Sequence, residues 1–428
     1  MYRARFTLFL VLAACSRSPR DGAVADPPAG LAERQPAASA ASAPPAPAPC
    51  VDDGWTTYAH DAARTSATGG CLVPPLRPSW SFAPRWVKGT PSHAARAIAA
   101  GNDVYVTGGI GPTPTIWRLD GATGAIAWTY ITMADATRDQ WPTLAGPRLF
   151  LVDDGVYSVD SATGHGHRGE LDAWGESLVD GDRMLAENTR YWDGYGLYLS
   201  AFDSEAKLLW RKDYDALVHF FSAPDVGGLA LDGDVLVHSA QHGALHSTAL
   251  TALDRVSGER LWKIAVSPQS SPSIADGRTY EIERWPGEHA DRLVARGLKD
   301  GAVAWSHEVV GARGPAPLLA AGRVFVHSRE GVQGFERATG ESAWSAPLER
   351  TADAVQSATT LAAATGSGSL VVVSGHTVHL LRIDDGSETW AGDVGRKAKR
   401  VEAPVIAGGN LYLLADGAIL RFEGERPR

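Results

Sequence analysis

A two-part phrase recurs along the chain, and such a repeat constrains the fold more than any single motif does. Its first half is a turn-forming Gly followed by a β-rich triplet, as at 101–106 (GNDVYV), 146–151 (GPRLFL), 233–237 (GDVLV), 322–326 (GRVFV) and 409–413 (GNLYL). The second half is an apolar position, a short Gly-bearing turn and a Trp. Three copies share one spacing: 119–128 (LDGATGAIAW), 253–262 (LDRVSGERLW) and 335–344 (FERATGESAW). A period of roughly 40 to 50 residues built from short strands reads as a β-propeller, because each unit has too little apolar face to be stable alone and must stack on its neighbours.

The Trp-strand positions are Trp80, Trp128, Arg168, Trp210, Trp262, Trp305, Trp344 and Trp390, with Arg168 in the Trp place. The early strands begin near Ala97, Thr143, Ser177, Leu229, Ile274, Leu318, Leu361 and Val405. Both series give eight blades. They are out of phase, however, since Trp80 precedes every early strand and no Trp strand follows the last ones, 410–413 and 418–422. Circular closure resolves this if 77–82 (RPSWSF) supplies the outermost strand of the blade that the C-terminus begins, which leaves only short, protected edges. The expectation is an all-β, eight-bladed propeller of four-stranded antiparallel blades, closed by an N-terminal strand. The 46 Gly and 26 Pro among 428 residues serve its hairpins.

The first residues read as a targeting segment. Arg3 and Arg5 precede an apolar run from Phe6 to Leu12, which ends in Leu12-Ala13-Ala14-Cys15. That ending resembles the bacterial lipobox, which implies a signal peptide over 1–14 and lipidation of Cys15. Ser16 stands where an Asp would direct retention at the inner membrane, so the resemblance leans to the outer membrane. Residues 22–49 hold eleven Ala and seven Pro with almost no bulky apolar side chain. Such a stretch cannot bury enough surface to order itself, so 15–49 is expected to be a lipidated, disordered tether, with the propeller at 50–428.

Cys50 and Cys71 bracket the segment before the first Trp strand. In an oxidising compartment a disulfide is the leading reading and two free thiols the alternative. Inside the bracket lies 55–65 (WTTYAHDAART). This W-x-x-Y-x-H-D-x-x-R-T segment and the repeated Gly-to-Trp strand resemble the PQQ-like (quinoprotein-type) β-propeller superfamily over about 55–422. The resemblance implies that the opening segment packs on the propeller, so His60-Asp61 is read as packing rather than catalysis. In that superfamily, quinoprotein dehydrogenases hold pyrroloquinoline quinone over the axis with calcium, often beside a disulfide of adjacent Cys. This chain has no Cys-Cys pair. It is more similar to the non-enzymatic lipoprotein branch typified by BamB of the outer-membrane β-barrel assembly machinery.

Other clusters fit structural roles. His238, His242 and His246 recur every four residues, but in a strand and loop broken by Gly243, where that spacing does not converge them. The acidic pairs around Gly155, Gly233 and Gly386 carry the hairpin turn signal and not a calcium-loop pattern. Trp86, Trp117, Trp141, Trp174, Trp192 and Trp285 lie outside the repeat register. Among them, 190–196 (RYWDGYG) makes Arg190, Tyr191, Trp192 and Tyr195 a candidate partner surface, the other reading being aromatics buried on an adjacent blade. A net charge of −9, with no basic cluster stronger than 396–400 (RKAKR), argues against nucleic acid.

The expected function is that of a monomeric, lipid-anchored envelope protein, periplasmic or surface-facing. It would bind a protein partner, in outer-membrane protein assembly or as another scaffold, with no catalytic, cofactor or metal residues. A quinone-dependent periplasmic dehydrogenase and a glycan-binding surface protein are the alternatives.

Overall fold

A computed structural model describes residues 50–424, apart from 52, 85–91, 111–112, 133–140, 153–154, 170–176, 182, 191–195, 216–225, 242–248, 286, 313–315, 329, 349–360 and 395–400. Its strands form eight separate sheets, one for each expected blade. The first strands of blades 1 to 8 are Ser92–Ala100, Thr143–Ala145, Ser177–Asp180, Val226–Asp232, Ser273–Ala275, Leu318–Ala320, Leu361–Ala364 and Val401–Ala407. Neighbouring first strands contact one another from blade 2 through blade 8 and from blade 8 to blade 1. Within each blade the remaining strands pair outward and antiparallel, ending on the Trp strand.

Alternation explains how the blades stack. In the second strand of blade 6, Val324 and Val326 join Tyr280 and Ile282 of blade 5, while Phe325 joins Leu370 and Val372 of blade 7. Successive side chains of one strand thus serve two different seams, as period-2 geometry requires. The outer strands are the least buried, and Ile126, Ile131, Leu209, Leu261 and Val303 stay exposed on them.

Closure happens as the phase argument requires. Arg77–Phe82 pairs antiparallel with Ala418–Glu423, with Phe82 opposite Ile419 and Trp80 opposite Arg421. Two blades depart from four simple strands. In blade 7 Ala67–Thr68 adds a parallel strand along Leu361–Ala364. In blade 5 the innermost chain is split into Ser267–Pro268 and Ser273–Ala275, both paired with Arg278–Arg284. Pro268 and Pro272 lack the N–H that an unbroken ladder needs.

The Gly and the Trp of the repeat meet between blades, not within one. Trp80, Trp128, Trp262, Trp305 and Trp344 each donate Nε1–H to a carbonyl in the outer turn of the next blade, at 2.9–3.0 Å. The turn glycine lies beneath the ring. At Gly340, with φ +76°, an added Cβ would sit 2.6 Å from the Trp305 ring. The exception is consistent. Where Arg168 replaces Trp, the following turn carries Ala206 at φ +55° in place of Gly.

Candidate functional site at the propeller axis

Residues 55–66 run past the first strands of seven blades in turn. Trp55 and Ala99 of blade 1 exchange both backbone hydrogen bonds, and Thr56 O accepts from Leu144 N of blade 2 at 2.7 Å. Arg64 Nη2 donates to Ser177 O of blade 3 at 2.7 Å. Then Ala62, Ala63, Thr65 and Ser66 offer their carbonyls to Leu231, Ile274, Leu319 and Ala363, in blades 4, 5, 6 and 7, at 2.8–2.9 Å. The segment is therefore an axial plug that satisfies inner-edge amides which would otherwise face the channel.

The plug's conformation is strained and held by its surroundings. Ala59, His60, Arg64 and Ser66 have φ between +53° and +80°, and they are half of the eight described non-Gly residues with positive φ. Such backbone persists only where neighbours over-determine it. Arg64 is the main fastener. It is 0 % exposed, its Nε donates to Leu229 O, its Nη1 to Tyr58 O and Thr57 Oγ1, and its guanidinium lies over the Tyr58 ring.

His60 sits between two carboxylates, with Nε2 3.2 Å from Asp53 and Nδ1 3.3 Å from Asp61. Burial alone would lower the imidazole, but the hydrogen bonds and charges of Asp53 and Asp61 outweigh it and push it up to about 9. Asp53 moves the other way, to about 2, because its bonds to His60, Thr68 and Gly69 outweigh the opposing effect of burial. Asp61 is also lowered, burial again being outweighed by His60 and Thr65. An imidazolium with both nitrogens engaged has no lone pair to act as a base at neutral pH, so the geometry makes His60 a charged clamp.

Sulfur chemistry pins the start of the plug. Cys50 and Cys71 form a disulfide with Cα atoms 5.2 Å apart, and Val51 N donates to Gly69 O beside it.

Three of the six out-of-register Trp residues are placed. Trp117 packs on Phe82, Trp141 on Tyr58 and Arg96, and Trp285 donates to Glu283 with Arg292 over its ring. Trp86, Trp174, Tyr191, Trp192 and Tyr195 lie outside the described residues, as do Cys15, His242, His246 and 396–400. Arg190 ends the strand Arg183–Arg190, opposite Gly196. His238 is buried in the strand Val235–Gln241. Asp232 and Asp385 stand at turns, and Asp385 caps Ser387 through its side chain. Asp153 and Asp154 are outside the described residues.

One polar cluster escaped the sequence reading. In blade 5, Thr279 and Arg296 are cross-strand partners. The same register joins Val104 to Leu119 in blade 1, Leu236 to Leu253 in blade 4 and Leu370 to Leu381 in blade 7. Two residues beyond Thr279 stands Glu281, at the place of Val106, Leu151, Val326 and Leu413 in other blades. Arg296 holds Glu283 through two bonds of 2.6 Å. The strand reads T-Y-E-I-E, and at the Glu281 place blade 4 also departs from the aliphatic pattern, with His238.

Residues 248–424 match the family model described as outer membrane protein assembly factor BamB. No curated protein matches the chain. Among solved structures, BamB from Moraxella catarrhalis is 16% identical with a TM-score of 0.56, over 81% of this chain and 99% of that one. The computationally designed Ika8 protein is 15% identical with a TM-score of 0.58, over 79% and 98%. Quinohemoprotein alcohol dehydrogenase from Comamonas testosteroni is 13% identical with a TM-score of 0.58, over 88% and 82%. At such identities the likeness shows the fold alone, a β-propeller, while the BamB family pattern is matched over residues 248–424.

Proposed function

We propose that this protein is an exported, lipid-anchored propeller that binds a protein partner in the cell envelope and performs no chemistry itself. The observation that carries the reading is the axial plug, because it fills with the chain's own backbone the place on the axis around which quinoprotein dehydrogenases organise their quinone. Among the described residues no three His, Cys, Asp or Glu side chains gather as a metal site. The BamB match in the C-terminal blades supports a role in outer-membrane protein assembly, with the body tethered through Cys15.

Two measurements test the proposal. A photo-crosslinking residue at Trp192 or Tyr195 should capture one discrete envelope protein in cells, whereas the same probe at the outer-strand residue Ile131 should not. Purified protein mixed with the quinone and calcium, then desalted, should retain no quinone absorbance. Retained absorbance with dye-linked alcohol oxidation would overturn the reading. Cys15→Ser should release the protein from membranes, and a variant that stays bound through a carbonate wash would remove the lipid anchor from it.

A further inference from the structure

The seam between blades 4 and 5 contains a carboxyl group that its surroundings do not neutralise. Side chains alternate along Arg278–Arg284, and Tyr280 and Ile282 pack toward blade 6, so Thr279, Glu281 and Glu283 face blade 4. The blade 4 surface opposite them is built from Ala230, Val237, Leu250 and Ala252, and it also carries the buried hydroxyl of Ser239, opposite Leu250. Glu281 is 0 % exposed, and neither of its oxygens accepts a hydrogen bond from a donor of the described residues. Two charged groups act on it: Glu283 from its own strand and Arg296 from the next.

Counting charge decides the state of the cluster. Arg296 is committed to Glu283 by two short bonds, and Glu283 also accepts from Trp285 Nε1 at 2.9 Å. One guanidinium therefore serves two carboxyls, and full ionisation would leave one uncompensated negative charge in a buried seam. Two ionised carboxylates are both acceptors and cannot bond each other. A proton on Glu281 removes the excess charge and makes it a donor to Glu283.

We propose that Glu281 is a proton-binding site that governs the cohesion of the seam between blades 4 and 5, closed while Glu281 is neutral and loosened when it ionises. Burial first, and then the neighbouring Glu283 charge, hold this carboxyl well above the usual carboxylate range. The sign follows from that direction. A carboxyl raised on folding stabilises the protein fully below its unfolded value, and this contribution falls as pH climbs from there toward the folded value.

The test compares hydrogen-exchange protection factors of wild type and Glu281→Gln in the full chain, from mildly acidic to mildly alkaline buffer. Gln is neutral at every pH and can still donate to Glu283. Protection in Arg278–Arg284 should fall in wild type by up to about tenfold per pH unit relative to the Gln variant. Protection in Arg323–Ser328 of blade 6 should stay parallel in the two proteins. Should Gln fail to fold, Glu281→Val, the residue type of the equivalent places in blades 1, 6 and 7, carries the same expectation. An infrared band of a protonated carboxylic acid at neutral pH, absent from the variant, is the second expected result. Parallel pH profiles at blade 5 in wild type and variant, or absence of that band, would overturn the proposal.

Discussion

Arg64 in the plug and Glu281 in blade 5 are both fully buried ionisable groups, yet the fold treats them in opposite ways. Arg64 reaches backbone carbonyls of blades 3 and 4 and of its own segment, so its charge joins parts of the ring that sequence keeps more than a hundred residues apart. Glu281 shares one guanidinium with Glu283 and has no donor of its own among the described residues. A buried charge that is met by fixed dipoles fastens a structure, while one left short of partners makes its surroundings dependent on protonation. The axis is thus the firm part of this ring, and the seam between blades 4 and 5 is its adjustable part.

Removing the fastener should have the largest effect. Arg64→Ala leaves three carbonyls and the Tyr58 face without their partner, a loss on the order of 3–4 kcal/mol in urea unfolding. Glu281→Val should be neutral or stabilising at neutral pH, and equal losses from the two would break the contrast. Next comes the clasp that pins the plug. Reducing the bond between Cys50 and Cys71, or replacing both by Ser, should cost ~3 kcal/mol, and the double variant should then ignore added reductant.

Smaller effects are expected where blades dock. Gly340→Ala adds a Cβ against the Trp305 ring at a positive φ and should cost about 2 kcal/mol. Ala206→Gly, at the junction that lacks both Trp and Gly, should instead gain up to about 1 kcal/mol. Thermal melts of the two variants check whether Gly and Trp act as a pair across blades. The smallest effect is a pH signature of the plug. His60 is raised on folding, so the stability it contributes is complete below the ordinary imidazole value and is lost as pH rises through about 9. Asp53 is lowered, so its contribution is present above the ordinary carboxylate value and is lost as pH falls through about 2. His60→Gln should flatten the alkaline limb, and an unchanged limb would deny the clamp.

The ring was legible in the sequence because its signals are local and repeated. The Gly-bearing turn and the Trp recur at fixed spacing, and the phase offset of Trp80 alone foretold the pairing of Arg77–Phe82 with Ala418–Glu423. What stayed hidden depends on contacts between distant residues. Nothing local in 55–66 shows that this segment would meet seven different blades, six through its carbonyls and one through the Arg64 side chain, since that order arises only once the ring has formed. The Glu281 cluster was hidden for a different reason. Charged residues on a β-strand ordinarily read as a solvated face, and only the cross-strand register reveals that Thr279, Glu281 and Arg296 stand at places that are mostly aliphatic or aromatic elsewhere.

The claim on which the rest depends is that the opening segment fastens the blades from within. Residue-resolved hydrogen exchange of wild type and Arg64→Ala measures it directly, at the amides of Leu144, Leu231, Ile274, Leu319 and Ala363 that donate to plug carbonyls. If the plug is a single fastener, all five should lose protection together in the variant, while the amides of Asn410–Ala415 in the separately closed blade 8 change least. If only Leu231, beside the site of substitution, responds and the other four keep wild-type protection, the segment is a passive filler and the account is wrong.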